Sequence, residues 1–124
     1  MTNYLSVQDV LYAHDIAIQR WGGTPGVRDQ PALEAAVGRP QTGYYRDIIE
    51  EAAALFESLS QNHPFLDGNK RTAIACALAF LRINGYGVYF DDQEAHRFLM
   101  SLYHGGGITK TSIETWLRER AIKV

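Results

Sequence analysis

The sequence predicts an all-α fold, a compact helical domain spanning residues 1–124 as one unit. Three observations carry that expectation. Apolar residues recur at three- and four-residue intervals along most of the chain. Residues able to cap a helix stand at the start of these runs. The run over residues 73–81 is apolar on more than one face, so it is expected as a central buried helix surrounded by others.

The elements follow in order. Val7, Val10, Leu11, His14, Ile18 and Trp21 mark a helix over 7–21, with Ser6 as cap and Asp9 three residues on. Gly22-Gly23 ends it, and Thr24-Pro25-Gly26 is a turn. His14 shares the apolar stripe and is expected as a core histidine bonded to a neighbour; the minor alternative is a place in the shell of an active site. Asp29 and Pro31 start a short helix through Val37, which Gly38 and Pro40 stop. Residues 39–46 are expected as a loop or short hairpin. Its two tyrosines and two arginines suit recognition, and a tyrosine pair packed on the core is the alternative.

Asp47 and Glu50 make a capping box for a helix that buries Ile49, Ala52, Ala53, Phe56 and Leu59. The central helix is expected over 69–83, ended by Asn84-Gly85. Residues 86–90 are too short for an independent sheet and read as an extended linker. Asp91 with Glu94 caps the next helix, whose apolar face is Ala95, Phe98, Leu99 and Leu102. Gly105-Gly106-Gly107 is a break, without the spacing of a phosphate-binding P-loop. Thr111 with Glu114 is expected to cap the last helix, bearing Ile113, Trp116, Leu117 and Ala121.

Composition excludes several classes. Hydrophobic residues are 46% and charged ones 21%, so the chain has enough apolar material for a core and is not a disordered polymer. A formal charge of -2 gives no general attraction to nucleic acid. No segment is apolar and long enough to span a bilayer, and Asp9, His14 and Asp15 interrupt any leader, so a cytoplasmic place is expected. Cys76 lies in the apolar run and is expected as a packed small hydrophobe. His96 and His104 lack metal-ligand companions at useful spacing.

The chemistry is concentrated in residues 63–72, His-Pro-Phe-Leu-Asp-Gly-Asn-Lys-Arg-Thr. Pro64 and Gly68 favour a turn that feeds the N-terminus of the central helix, where free N–H groups and the helix dipole attract an anion. His63 can take a proton near neutral pH. Pro64 biases it away from helical geometry, placing the imidazole just past a helix end. Phe65 is expected as a buried anchor between His63 and Asp67. Asp67 either caps the helix or holds Mg²⁺ through a hard oxygen. Gly68 lets backbone approach an anion. Asn69, Lys70 and Arg71 can grip phosphate oxygens, and Thr72 steadies the first turn. Together these groups suit phosphoryl or nucleotidyl transfer to a hydroxyl.

This stretch resembles the signature loop of the Fic/Doc family in its Doc branch. His14-Asp15, residues 22–26, the run Leu33-Glu34-Ala35-Ala36 and Gly38-Arg39 are similar too. The resemblance implies the helical Fic/Doc fold with a short flap at 39–46 that aligns a target hydroxyl. It implies His63 as base, Mg²⁺ on Asp67, and ATP phosphates on Gly68, Asn69, Lys70 and Arg71. The AMP-transferring branch usually has glycine where Lys70 stands and a second arginine where Ile74 stands. Both departures favour the Doc-type reaction: transfer of the γ-phosphate of ATP, with the nucleotide reversed, to a threonine of a protein. Elongation factor Tu is the target the resemblance favours, with arrest of translation as the effect. The residues before His63 are Gln61-Asn62, where some relatives carry an Arg-Gly pair.

Two alternatives stand beside this expectation of a toxin kinase: AMP transfer to a protein hydroxyl, and a non-enzymatic toxin that docks on the translation machinery. No inhibitory Ser/Thr-x-x-x-Glu-Gly motif is found. The resemblance therefore implies control by a separate small antitoxin whose disordered tail folds as a helix on the toxin. No nucleic acid or membrane partner is expected.

Overall fold

The computed structural model describes residues 1–104 and 108–124; the side chains of Leu99 and of residues 102–104 lie outside that description, as does the break expected at Gly105-Gly106-Gly107. Among the described residues the chain is mostly helical. The order is α1 (Val7–Trp21), α2 (Gln30–Gly38), a 3₁₀ turn (Arg39–Thr42), α3 (Ile48–Gln61), α4 (Asn69–Ile83), β1 (Tyr86–Val88), α5 (Asp92–His104), α6 (Lys110–Arg120) and β2 (Ala121–Lys123).

The caps explain most of the boundaries. Ser6 and Asp9 form the full reciprocal box on α1. Asp29 caps α2 through the Ala32 N–H, with Pro31 in the first turn. Asp47 caps α3 through the Glu50 N–H, but the Glu50 carboxylate turns to the N–H of Arg46 instead, so only half of the expected box forms. Asp91 accepts from the Glu94 N–H at the head of α5. The last helix starts earlier than expected. Thr109, not Thr111, is its cap, accepting from Ser112 N–H. A tertiary tie draws that start forward: Lys110 N–H donates to the Glu57 carboxylate at 2.6 Å.

α3 lies at the centre of the core. Phe56, Leu55, Leu59 and three alanines are buried on it against α4, α6 and the 3₁₀ turn. α4 spans the expected residues and buries Thr72, Ala73, Cys76, Ala77, Phe80 and Leu81. The expectation that it is enclosed needs correction. Ala75, Ala79 and Arg82 are exposed and Ile74 and Leu78 are half-buried, so one face stays open. Small side chains on that face carry too little apolar area to demand a cover. Burial pushes the Cys76 thiol up to about 12, as befits packing material.

Residues 86–90 are not a simple linker. β1 pairs antiparallel with β2, with Tyr86 opposite Lys123 and Val88 opposite Ala121. Ala121, expected on the last helix, is therefore on a strand. The partner segments are far apart in sequence, and each is too short to announce itself by periodicity. Trp21, the last residue of the helical spacing in α1, is 62% exposed at its end. The segment 39–46 is a 3₁₀ turn leading into a bend, not a hairpin.

An ion cluster fastens α6 to the start of α3. Glu114 accepts from Arg118 and Arg46, each at 2.7 Å, and from Lys110 at 3.2 Å. Lys110 also reaches Glu50, and Arg118 reaches Asp47. Burial alone would raise the Glu114 carboxyl, but the three cationic donors outweigh it and hold the group at about 2, against an ordinary 4.5. A depressed carboxyl stabilises the fold above its unfolded value, and that contribution is lost as pH falls toward its folded value. Glu114→Gln is therefore expected to destabilise the protein by about 1–3 kcal/mol at pH 7. It should also flatten the decline in stability on acidification below pH 4.5. Urea melts of both proteins across that range check this.

Candidate active site

Two helix ends meet at the site. α3 ends at Gln61, Asn62 is its C-cap, and His63 follows with φ of 47°. Glycine or asparagine usually takes such a left-handed position; a Cβ there costs roughly 1–2 kcal/mol. α4 begins at Asn69, and its N-cap is Gly68, with no side-chain cap on the free N–H groups of the first turn. Between these ends lies an open cleft of about 330 Å³, lined by His63 and every residue from 66 to 71.

The loop is tied to the core by Phe65, which is 1% exposed as expected of an anchor. Its ring stacks on the His14 imidazole, centroids 3.8 Å apart and nearly parallel. His14 is buried, and its Nε2–H donates to the Asp67 carbonyl at 2.8 Å; a carbonyl cannot donate, which settles the tautomer. His14 is thus both the core histidine expected and a brace of the site. The Asn69 amide closes on the Phe65 main chain from both sides. Its Oδ1 accepts the Phe65 N–H at 2.9 Å and its Nδ2 donates to the Phe65 carbonyl at 3.0 Å. Expected as a phosphate grip, Asn69 in this arrangement spends both amide groups on the loop. Thr72 is completely buried, and its hydroxyl has no hydrogen-bond partner among the described residues, so its steadying role is packing alone.

Asp67 lies between the two readings made of it. One carboxylate oxygen accepts from its neighbour Gly68 N–H at 2.9 Å, the other from Thr24 N–H at 3.2 Å. A Cβ on Gly23 would stand 2.8 Å from that second oxygen, so glycine is what lets the 22–26 turn close on the carboxylate. Gly68 has φ of 74°, and a Cβ there would press on Ile18 at 3.2 Å. Among the described residues there is no cluster of three or more His, Cys, Asp or Glu able to hold a metal by themselves. A lone carboxylate with spare lone pairs beside a phosphate cradle still fits Mg²⁺, which takes much of its shell from water and phosphate.

Lys70 and Arg71 stand on the first turn of α4 and line the cleft. The Arg71 guanidinium lies over the Trp21 ring at 4.5 Å. The flap splits the two tyrosine readings. Tyr44 is 83% exposed, while the Tyr45 hydroxyl accepts from Arg39 Nε at 2.6 Å.

Three contributors carry no signal of their role in the sequence. Trp21 follows the helical spacing of α1, Gly23 reads as a helix stop and not as clearance for Asp67, and Arg28 belongs to no motif. It donates from Nε to the His63 carbonyl at 2.6 Å and from Nη2 to the Asn62 carbonyl at 2.9 Å. Around it, residues 26–29 run as a splint along 62–66: Leu66 N–H reaches the Gly26 carbonyl, and the N–H groups of Arg28 and Asp29 share that of Pro64.

The family model described as Fic/DOC family matches residues 4–81, which takes in α1 to α3, all but the last two residues of α4, and the whole cleft. The chain belongs to the Fic/DOC family. It is 52% identical over 90 residues to a protein named Toxin Doc from Mycolicibacterium smegmatis, covering 68% of this chain and 67% of that one. It is 39% identical over 95 residues to Protein kinase doc of Escherichia phage P1, covering 73% and 75%. Both are Doc-type members, so the Doc branch of the Fic/Doc family indicated by residues 63–72 is supported along most of the chain.

The brace by Asn69 carries a direct consequence for this Fic/Doc loop. Asn69→Ala would leave the Phe65 N–H and carbonyl without their partners, and a loss of about 1–3 kcal/mol in unfolding free energy is expected. Urea denaturation of the two proteins measures it.

Proposed function

We propose that this chain is a Doc-type toxin that transfers the γ-phosphate of ATP to a hydroxyl of a protein. A threonine of elongation factor Tu is the favoured acceptor, and arrest of translation in the cytoplasm the outcome. The observation that carries the reading is the pairing of an exposed His63 with the uncapped start of α4 in one cleft. The names Toxin Doc and Protein kinase doc borne by two relatives support it.

The chemistry follows from the residues. His63 takes the proton of the attacking hydroxyl as its oxygen bonds to the γ-phosphorus. The bond from that phosphorus to the bridging oxygen breaks, and ADP leaves. The first-turn N–H groups of α4, Lys70 and Arg71 hold phosphate oxygens by charge-assisted hydrogen bonds. Trp21 holds the Arg71 guanidinium over its ring beside the cleft. Mg²⁺, when bound at Asp67, would offset phosphate charge. Phosphate transfer is preferred over AMP transfer because Lys70 fills the place where glycine would admit phosphates along the loop, and Ile74 stands where a second arginine is usual.

A small antitoxin as the controlling partner is supported by the name Toxin Doc borne by one relative. Co-expression with the adjacent small gene is expected to yield a stable complex, and isolation of free active toxin would count against it.

Extract incubated with the chain and ATP labelled on the γ- or the α-phosphate separates the reactions. Label is expected on a protein from γ-labelled ATP only; transfer of α label would make the chain an adenylyltransferase. Lys70→Gly is expected to lower γ transfer by roughly a hundredfold or more. Unchanged transfer in the folded variant would remove Lys70 from the mechanism. Toxicity surviving in a folded His63→Ala protein would favour the non-enzymatic reading.

A further inference from the structure

Nothing among the described residues fixes the His63 ring. It makes no hydrogen bond, ion pair or ring contact with them. Its place is therefore set by its own backbone, which sits at a φ of 47° that a residue with a Cβ seldom adopts. Two peptide planes meet at the His63 Cα. The Asn62 carbonyl belongs to one and the His63 carbonyl to the other. Arg28 donates to both, at 2.9 and 2.6 Å, from two nitrogens of one rigid guanidinium. Fixing both planes fixes φ and ψ together, and so the direction of the Cα–Cβ bond that carries the imidazole. The next carbonyl, that of Pro64, accepts from the Arg28 main-chain N–H at 2.8 Å and from Asp29 at 3.0 Å. The same guanidinium puts a full positive charge at the carbonyl end of α3, where the helix dipole favours it.

We propose that Arg28 is the positioning residue of the catalytic base: its two-pronged hold on the carbonyls of Asn62 and His63 keeps His63 in the left-handed conformation that presents the imidazole to the cleft. The proposal rests on the reading of His63 as base. Arg28 does not touch the reacting atoms; it acts through the backbone of His63. An ammonium group cannot replace it, because lysine offers one point charge rather than two diverging donors in a plane.

The test uses the full chain as wild type, Arg28→Ala and Arg28→Lys, each confirmed folded by its melting curve. Steady-state γ-phosphate transfer to the acceptor protein found by labelling is measured with varied ATP. Arg28→Ala is expected to lower kcat about 10- to 100-fold, the scale of a small misplacement of a reacting group, with KM for ATP within about twofold. Arg28→Lys is expected to recover only a minor part. In parallel, the intraresidue amide–Hα NOE of ¹⁵N-labelled protein, stronger at a positive φ than at a negative one, reports the left-handed conformation of His63. It is expected to weaken in Arg28→Ala, while the same NOEs of residues in α3 and α4 stay as they were. That NOE decides the role of Arg28 even if wild-type protein transfers no γ-phosphate, an outcome that sinks the kinase reading alone. Should Arg28→Ala fail to fold, Arg28→Gln takes its place in both measurements. An unchanged NOE at His63 overturns the proposal whatever happens to the rate. So does a raised KM with kcat intact, which would make Arg28 a phosphate-binding group, and so does full activity in Arg28→Lys.

Discussion

The site depends on how the peptide of Phe65 is held. Its N–H and carbonyl are both taken by one side chain, Asn69, while its ring is sunk against His14. A polar loop at the surface would lose a large conformational entropy on ordering. Here an aromatic ring supplies burial worth about 2–3 kcal/mol, and the amide closes the turn from the far side. The buried ring thereby helps to place the residues on either side of it: His63 before it, Asp67 after it. His14 completes the arrangement from below, stacking on the ring and bonding the Asp67 carbonyl.

Once the loop is fixed, the polarity of two helices is put to use. The carbonyl end of α3 and the N–H end of α4 face one cleft. The first carries partial negative charge and is met by Arg28. The second carries partial positive charge and has no side-chain cap, which leaves it available to an anion. The proposed phosphoryl transfer calls for a base at the one and an anion cradle at the other, since most of its catalysis is positioning and charge. The flap and the Glu114 cluster sit outside this cleft. They share Lys110, whose Nζ binds Glu50 and Glu114 and lies 5.7 Å from the centre of the Tyr45 ring. The base of the flap is thereby tied to the framework, while Tyr44, edge-on to the Tyr45 ring, stays exposed.

Local signals made most of this legible in the sequence. Most helices announce themselves by a cap and a periodicity of their own; α4, which has no side-chain cap, is legible from its apolar run and from Gly68 and Gly85. The chemistry of 63–72 was legible because all its groups lie within one stretch. What escaped was decided across the chain. The β1–β2 pair joins two segments that have no strand pattern individually. Trp21 follows the helical spacing of the core but lies beyond the reach of its neighbours, and it serves Arg71 instead. Asn69 reads as a free amide until Phe65 is seen folded back on it. Arg28 sits in a turn with no motif of its own, and its partners lie on the far side of α2. Its role also bears on the missing cation before His63, since the guanidinium at that backbone comes from another part of the chain.

The central claim is that the loop is built before any ligand arrives. Native-state hydrogen exchange of the Phe65 amide in the free protein tests it most directly. That amide donates to Asn69 within a buried turn, so it should exchange only when the whole domain unfolds, at the free energy of the slowest core amides of α3. Exchange of Phe65 at the rate of an open surface loop, with α3 still protected, would contradict a preformed site.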